Sequence, residues 1–278
     1  MSPLSANAMS VRRYDRDRFV TALFADPARR EDLFTLYAFN IEIARVRETV
    51  TEAMLGQIRL QWWRDNLDAV SSGRSSGHPV ADALAQMLPR RPMPRDLLAR
   101  LVDAREFDLE DRVPDDQAEL AAYIEDSAAG LSRMAAALLG GDDDASQEAA
   151  RLVGQAWGLL GLMRAHAYHV KARRMFLPAS WIAAHGLDRD ELLAGASPQP
   201  LARLAEEWAG QAAEQLRAAR RLRKEVAPSA LPALLPARLA DHYLRALRRA
   251  RYDLLDRGWS AVDGRPLSLL LCSAFRRY

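Results

Sequence analysis

The sequence predicts an all-α protein: a single domain of long helices packed around a common core. Three observations predict it. Apolar residues recur at i, i+3 and i+4 spacing through most of the 278 residues. No segment combines strict apolar–polar alternation with β-branched enrichment, the pattern of a strand. Clusters of Pro, Gly and Ser cut the chain at helix-length intervals, with no repeat of fixed period and no linker between different compositions.

The elements follow in order. Residues 1–13 read as a flexible N-terminus and residues 14–278 as the domain. Pro27 opens a helix over about 28–50, where Leu33, Leu36, Tyr37, Asn40, Ile43 and Ala44 form one inward stripe. A second helix over about 52–70 carries Ile58, Leu60, Trp62, Trp63 and Leu67, and stops at the Ser/Gly run 71–77. The adjacent Trp62 and Trp63 must point to different faces, one to the core and one to a cavity or the surface. Pro79 sits at the first position of a short helix ending near 88, and Pro89, Pro92 and Pro94 break the chain again. Helices are expected at about 95–110, 117–139, 145–170 and 200–226. Gly140, Gly141 and the acidic run 142–144 separate two of these; the acids read as a solvated loop that favours the next helix's N-terminus. Pro228, Pro232 and Pro236 precede a helix at about 237–257, and a short apolar tail covers 267–275.

Composition narrows the function. The chain has 39 basic and 37 acidic residues, a net charge of +2, so there is no basic excess of the kind a nucleic-acid binder shows. A single cysteine, Cys272, permits no internal disulfide and fits a reducing compartment. No secretory signal pattern opens the sequence and no apolar run reaches membrane-span length. A cytoplasmic protein, at most peripheral on the inner membrane, is expected.

Four short segments carry more. They are Leu36-Tyr37-Ala38-Phe39, Gln61-Trp62-Trp63-Arg64 with Leu67-Asp68, His78-Pro79-Val80-Ala81-Asp82-Ala83-Leu84, and Arg174-Met175-Phe176-Leu177-Pro178. In this order and spacing they resemble the squalene/phytoene synthase family. The resemblance implies an isoprenoid-synthase-like helical bundle around a central cavity, with two aspartate-rich motifs facing each other and holding Mg²⁺ for diphosphate ionisation. Diphosphate leaves only when its charge is neutralised, and Mg²⁺ takes hard oxygen ligands for that purpose.

The aspartates are missing. The family's first motif, Y-A-F-C-R-x-x-D-D-x-x-D, meets Asn40, Ala44, Arg45 and Glu48 here, with one carboxylate left. Its second motif, N-I-L-R-D-V-x-E-D, keeps Arg164 but meets Ala165, Tyr168 and His169. No catalytic residue and no metal ligand is assigned. Arg45, Arg164, Arg173 and Arg174 stand where family enzymes approach diphosphate, so they are candidates for diphosphate or lipid-headgroup contact, against a reading as solvated helix ends. Glu42, Arg45, Glu48 and Arg64 read as an ion-pair lattice across neighbouring helices, against ligand contact by the same side chains. His166 and His169, at i and i+3, read as hydrogen-bonded helix residues ahead of a zinc pair, because zinc needs three or four ligands.

The stretch 38–47, Leu162-Met163-Arg164-Ala165 with Tyr168-His169, the run 173–178 and the C-terminal Phe275-Arg276-Arg277-Tyr278 are similar to a non-enzymatic branch of the family, typified by the sixth assembly factor of mitochondrial respiratory complex I. This implies an assembly or interaction factor at the membrane surface, without a cofactor, whose partners are complex I subunits or other assembly factors. Two alternatives stand beside it. One is a divergent prenyl transferase or diphosphate hydrolase, with Mg²⁺ or with arginines in its place. The other is an isoprenoid lipid carrier.

Overall fold

A computed structural model describes residues 4–71, 77–91, 93–260 and 266–278. Among them every regular element is helical. The core runs through the whole array, from Ala8 near one end of the chain to Tyr278 at the other.

Helix α3 (Pro27–Ala44) lies at the centre. Pro27 occupies the first turn and the Asp26 carboxylate accepts from Ala28 N–H at 2.8 Å, which caps the start. A single inward stripe was expected, but almost every residue from Asp32 to Ile43 is buried, so the helix is enclosed on all sides. Buried Asp32 is compensated by Arg90 and Arg91 at 3.3 and 3.1 Å. The expected helix to about residue 50 breaks at Arg45, whose φ of −93° and ψ of 1° leave the helical region, and α4 (Val46–Thr49) starts afresh after it.

Helix α5 (Ala53–Ser71) packs against α6 (Pro79–Met87) and α7 (Arg95–Asp103). Trp63 is buried and meets Phe39 edge-on at 5.2 Å, whereas Trp62 is 37% exposed, so the two rings divide as anticipated. His78 packs against both at 5.4 and 5.2 Å. Residues 72–76 of the expected Ser/Gly loop, and Pro92 of the proline break, lie outside the described residues.

Two expected helices are interrupted. The stretch after α7 tightens into a 3₁₀ turn (Ala104–Leu109). The helix expected over 117–139 is α8 (Gln117–Ile124), a π turn (Glu125–Ala129) and α9 (Gly130–Leu138). Helix α10 (Asp144–Lys171), capped by Asp143 accepting from Ser146 N–H at 2.8 Å, passes close to that turn. A Cβ on Gly154 would lie 2.5 Å from Ala129 Cα, and one on Gly158 would lie 2.8 Å from Ala128 Cβ. These two glycines let the backbones approach.

Short helices α11 (Ala179–Ala184) and α12 (Arg189–Leu193) lead to α13 (Gln199–Arg221), which lies along α10. Then come α14 (Leu231–Leu234), α15 (Pro236–Arg249) and α16 (Pro266–Ala274). The N-terminal expectation needs correction from residue 6 onward. Ala6–Tyr14 is helix α1, capped by Ser5, with Val11 fully buried and Asn7 Nδ2 donating to Thr35 Oγ1 at 3.1 Å. Helix α2 (Arg16–Ala22) follows it. A short arginine-rich segment has little helical signal of its own; packing on α3 orders it.

Candidate functional site

The two substituted motifs meet. Asn40 and Ala44 lie on α3, Arg45 at its break and Glu48 on α4; Arg164, Ala165, Tyr168 and His169 follow one another along α10. The Tyr168 hydroxyl donates to Glu48 Oε1 at 3.1 Å, and Arg45 Nε donates to Glu48 Oε2 at 3.2 Å. Both oxygens of Glu48, the one acid at a ligand position of the two motifs, are therefore engaged. The Arg45 guanidinium also lies 4.0 Å from the centre of the Tyr14 ring. Desolvation and the bond to Glu48 raise the Tyr168 phenol above its usual pKa, so it remains a donor at neutral pH.

These side chains do not fit a Mg²⁺ cage. A hard dication needs several oxygen ligands, and the ligand positions of the motifs present one carboxylate, tied to an arginine. Among the described residues no three His, Cys, Asp or Glu side chains gather as a metal site. The histidine pair also lacks a third ligand there. Burial lowers His166 to about 4 and His169 to about 3, with Arg174 adding to the second shift, so both rings are neutral. His169 packs on Phe176 at 4.9 Å.

Beneath this contact lies a polar network that the sequence reading did not find. Arg105, carried inward by the 3₁₀ turn, donates to Asn40 Oδ1 at 3.2 Å, to the Tyr123 hydroxyl at 2.9 Å and to Asp108 at 3.3 Å. Tyr123 donates to Asp108 Oδ1 at 3.0 Å, and Arg174 reaches the same oxygen at 3.2 Å. Arg105 and Asp108 are almost wholly buried. Burial and the neighbouring Asp108 raise the Tyr123 phenol well above its ordinary range. The only sequence signal was an Arg and an Asp at i and i+3, too common a spacing to single out.

Above the network a cavity of about 180 Å³ is lined by Arg18, Asn40, Arg105, Tyr123, Trp157 and Gly161. It is smaller than the roughly 300–1,000 Å³ of most small-molecule sites.

The four candidate arginines do not converge. Arg164 pairs with Asp17 at 3.0 Å and stacks 3.8 Å from the Tyr243 ring centre, while Tyr243 donates to Asp17 at 2.9 Å. That cluster ties α10 to α2 and α15. Arg174 joins Asp108, Arg45 stays with Glu48, and exposed Arg173 comes within 3.6 Å of Asp190. The expected lattice is only partly formed: Arg64 turns away to Asp103 and Glu106 at 2.7 and 2.6 Å. Glu42 and Arg45 instead line an outer groove of about 310 Å³ beside Trp62 and His78.

An all-helical array that brings the two motif stretches together beside a small cavity matches the isoprenoid-synthase fold. The structure superposes on squalene synthase HpnC from Alicyclobacillus acidocaldarius with a TM-score of 0.78 at 20% identity, covering 89% of this chain and 93% of that one. It superposes on a dehydrosqualene synthase, solved with a ligand, with a TM-score of 0.82 at 18% identity, covering 97% and 94%. The squalene/phytoene synthase family model matches residues 11–266, and the chain belongs to that family. Among curated relatives it is 28% identical over 269 residues to the Bos taurus protein named NADH dehydrogenase (ubiquinone) complex I, assembly factor 6, covering 96% of this chain and 81% of the relative. The Homo sapiens protein of that name is 28% identical over 88% of this chain and 73% of its own. Phytoene synthase of Rhodobacter capsulatus is 28% identical over 49% of this chain and 40% of its own.

Proposed function

We propose that this protein is a non-catalytic member of its family that serves as an assembly or interaction factor for respiratory complex I at the membrane surface, with complex I subunits or other assembly factors as partners. The observation that carries the reading is the closed contact between the motifs. Glu48 is held by Arg45 and Tyr168, and the other ligand positions carry Ala44, Ala165 and His169. A metal or charge clamp contributes several kcal/mol to ionising a leaving group, roughly three powers of ten in rate, so its loss removes most of the acceleration. The long matches to relatives named as complex I assembly factors support the same reading. The absence, among the described residues, of any helix long and apolar enough to cross a membrane is consistent with surface attachment.

Deleting the gene tests it. The expected outcome is a loss of assembled, NADH-oxidising complex I with squalene and carotenoid content unchanged. Loss of those isoprenoids with complex I intact would overturn the proposal. So would squalene or phytoene formed by the purified protein from prenyl diphosphates and Mg²⁺.

One observation favours a second reading. Arg18 and Arg105 both line the cavity, and a diphosphate head group held there without metal would exchange with their present partners, Asp15 at 2.6 Å and Asp108 at 3.3 Å. Calorimetry with farnesyl diphosphate decides: chelator-insensitive binding that Arg18→Met weakens while circular dichroism and melting temperature stay unchanged supports this reading, and no binding ends it.

A further inference from the structure

Helix α16 turns an apolar arc outward. Leu269 is fully buried, but Leu270, Leu271 and Phe275 are 54%, 62% and 69% exposed. With exposed Ala274 they fall within about 140° of one helical face. The segment is pinned from behind. The Tyr278 hydroxyl donates to Ala219 O at 2.8 Å, and Arg220 Nε donates to Tyr278 O at 2.7 Å. The apolar face thus points away from the protein as part of the folded structure.

Basic side chains flank it. Phe275 and Arg276 share a groove of about 260 Å³ with Arg223 and Lys224 at the end of α13, and Arg277 follows directly. Arg223, Lys224, Arg276 and Arg277 are exposed, and none forms a side-chain ion pair among the described residues. Exposed Glu225 follows Lys224, Asp26 lines the adjoining groove, and Asp241 is taken up by Arg220 at 2.8 Å and Arg238 at 3.5 Å, so cations outnumber free acids beside the helix. The net charge of +2 hides this local excess.

We propose that α16 and its basic flank form a docking surface for a bilayer containing anionic phospholipid, with Leu270, Leu271 and Phe275 entering the acyl boundary and the four cations meeting lipid phosphates. An apolar wedge bordered by cations is the composition of an interfacial anchor. Each basic residue near an anionic leaflet strengthens binding about fivefold, the equivalent of about 1 kcal/mol. The inference supplies the surface and lipid class for the membrane-side role proposed above, and rests on that reading for its setting.

The full chain is sedimented with vesicles of phosphatidylcholine alone and of phosphatidylcholine mixed with phosphatidylglycerol. Binding to the mixed vesicles only, weakened by salt, is expected. Arg276→Glu with Arg277→Glu should weaken it at least tenfold, and Leu271→Glu with Phe275→Asp should abolish it, each variant keeping its circular dichroism and melting temperature. Binding to neither vesicle overturns the inference. So does equal binding to both, or capture of a protein through this face without vesicle binding. Vesicle binding is read on purified protein, independently of the deletion phenotype. Failure to bind therefore leaves the assembly reading standing, and a deletion that spares complex I leaves the vesicle result standing.

Discussion

His166 shows how one buried side chain ties the fold to pH. Its ring is neutral in the folded protein because burial lowers it from 6.5 to about 4, against a smaller opposing pull from Asp253. Below neutrality the unfolded chain takes up the proton first, so stability falls as pH drops through 6.5 and levels off below the folded value. Between about pH 7 and pH 5 this one group should remove roughly 2 kcal/mol. Urea titrations at the two pH values check it; His169, lowered to about 3, adds a loss of similar size, so His166→Leu should remove about half of the difference. The Arg105–Asp108 pair makes a second prediction. Asp108→Asn leaves Arg105 uncompensated among buried groups and should cost about 3–5 kcal/mol. Arg105→Met with Asp108→Leu should cost less than the sum of the single changes, because it removes both charges together. A double-mutant cycle by denaturant unfolding measures the coupling.

At the scale of elements, the meeting of α10 with the π turn sets the shape of the cavity. Gly154 and Gly161 lie on the same helix but in opposite circumstances. A methyl at Gly154 would collide with the backbone of Ala129, which cannot yield, whereas nothing stands within 4 Å of one at Gly161. Gly154→Ala should therefore destabilise by about 1–3 kcal/mol through overpacking. Gly161→Ala should gain about 0.5–1 kcal/mol from reduced helix entropy loss. Thermal melts of the two variants should move in opposite directions. Both glycines sit in an ordinary helical pattern in the sequence; the difference between them depends on what packs opposite. The same holds for the break at Arg45 and the π turn, where local propensity continued a helix that tertiary contacts interrupted.

For the whole molecule, the question is whether the scaffold could still hold the family's metal if its ligands returned. Ala44→Asp, Arg45→Asp, Ala165→Asp and His169→Asp would place four carboxylates beside Glu48 on stretches that already face one another. Millimolar Mg²⁺ should raise the melting temperature of that variant and leave the unmodified protein unchanged, since ligand binding to the folded state alone is stabilising. A Mg²⁺-dependent shift in the unmodified protein would mean that cation ligands exist outside the two motifs.

The all-helical class, the longer helices with their proline and glycine punctuation, and the replacement of motif aspartates by Ala44, Arg45, Ala165 and His169 are legible in the sequence, because helical periodicity and motif spacing are local properties of the chain; α1, α11 and α12 are not. The burial of Trp63 rather than Trp62, the docking of α1, the pairing of Arg164 with Asp17 and the Arg105–Asp108–Tyr123 network are not either. Each joins residues from different elements, and Arg164 and Asp17 stand 147 positions apart. Such pairs exist only once helices pack at particular angles, and a buried charge finds its partner only there. Chemistry along the chain thus announced which ligands had gone, and folding in three dimensions decided what Glu48 and the arginines would hold instead.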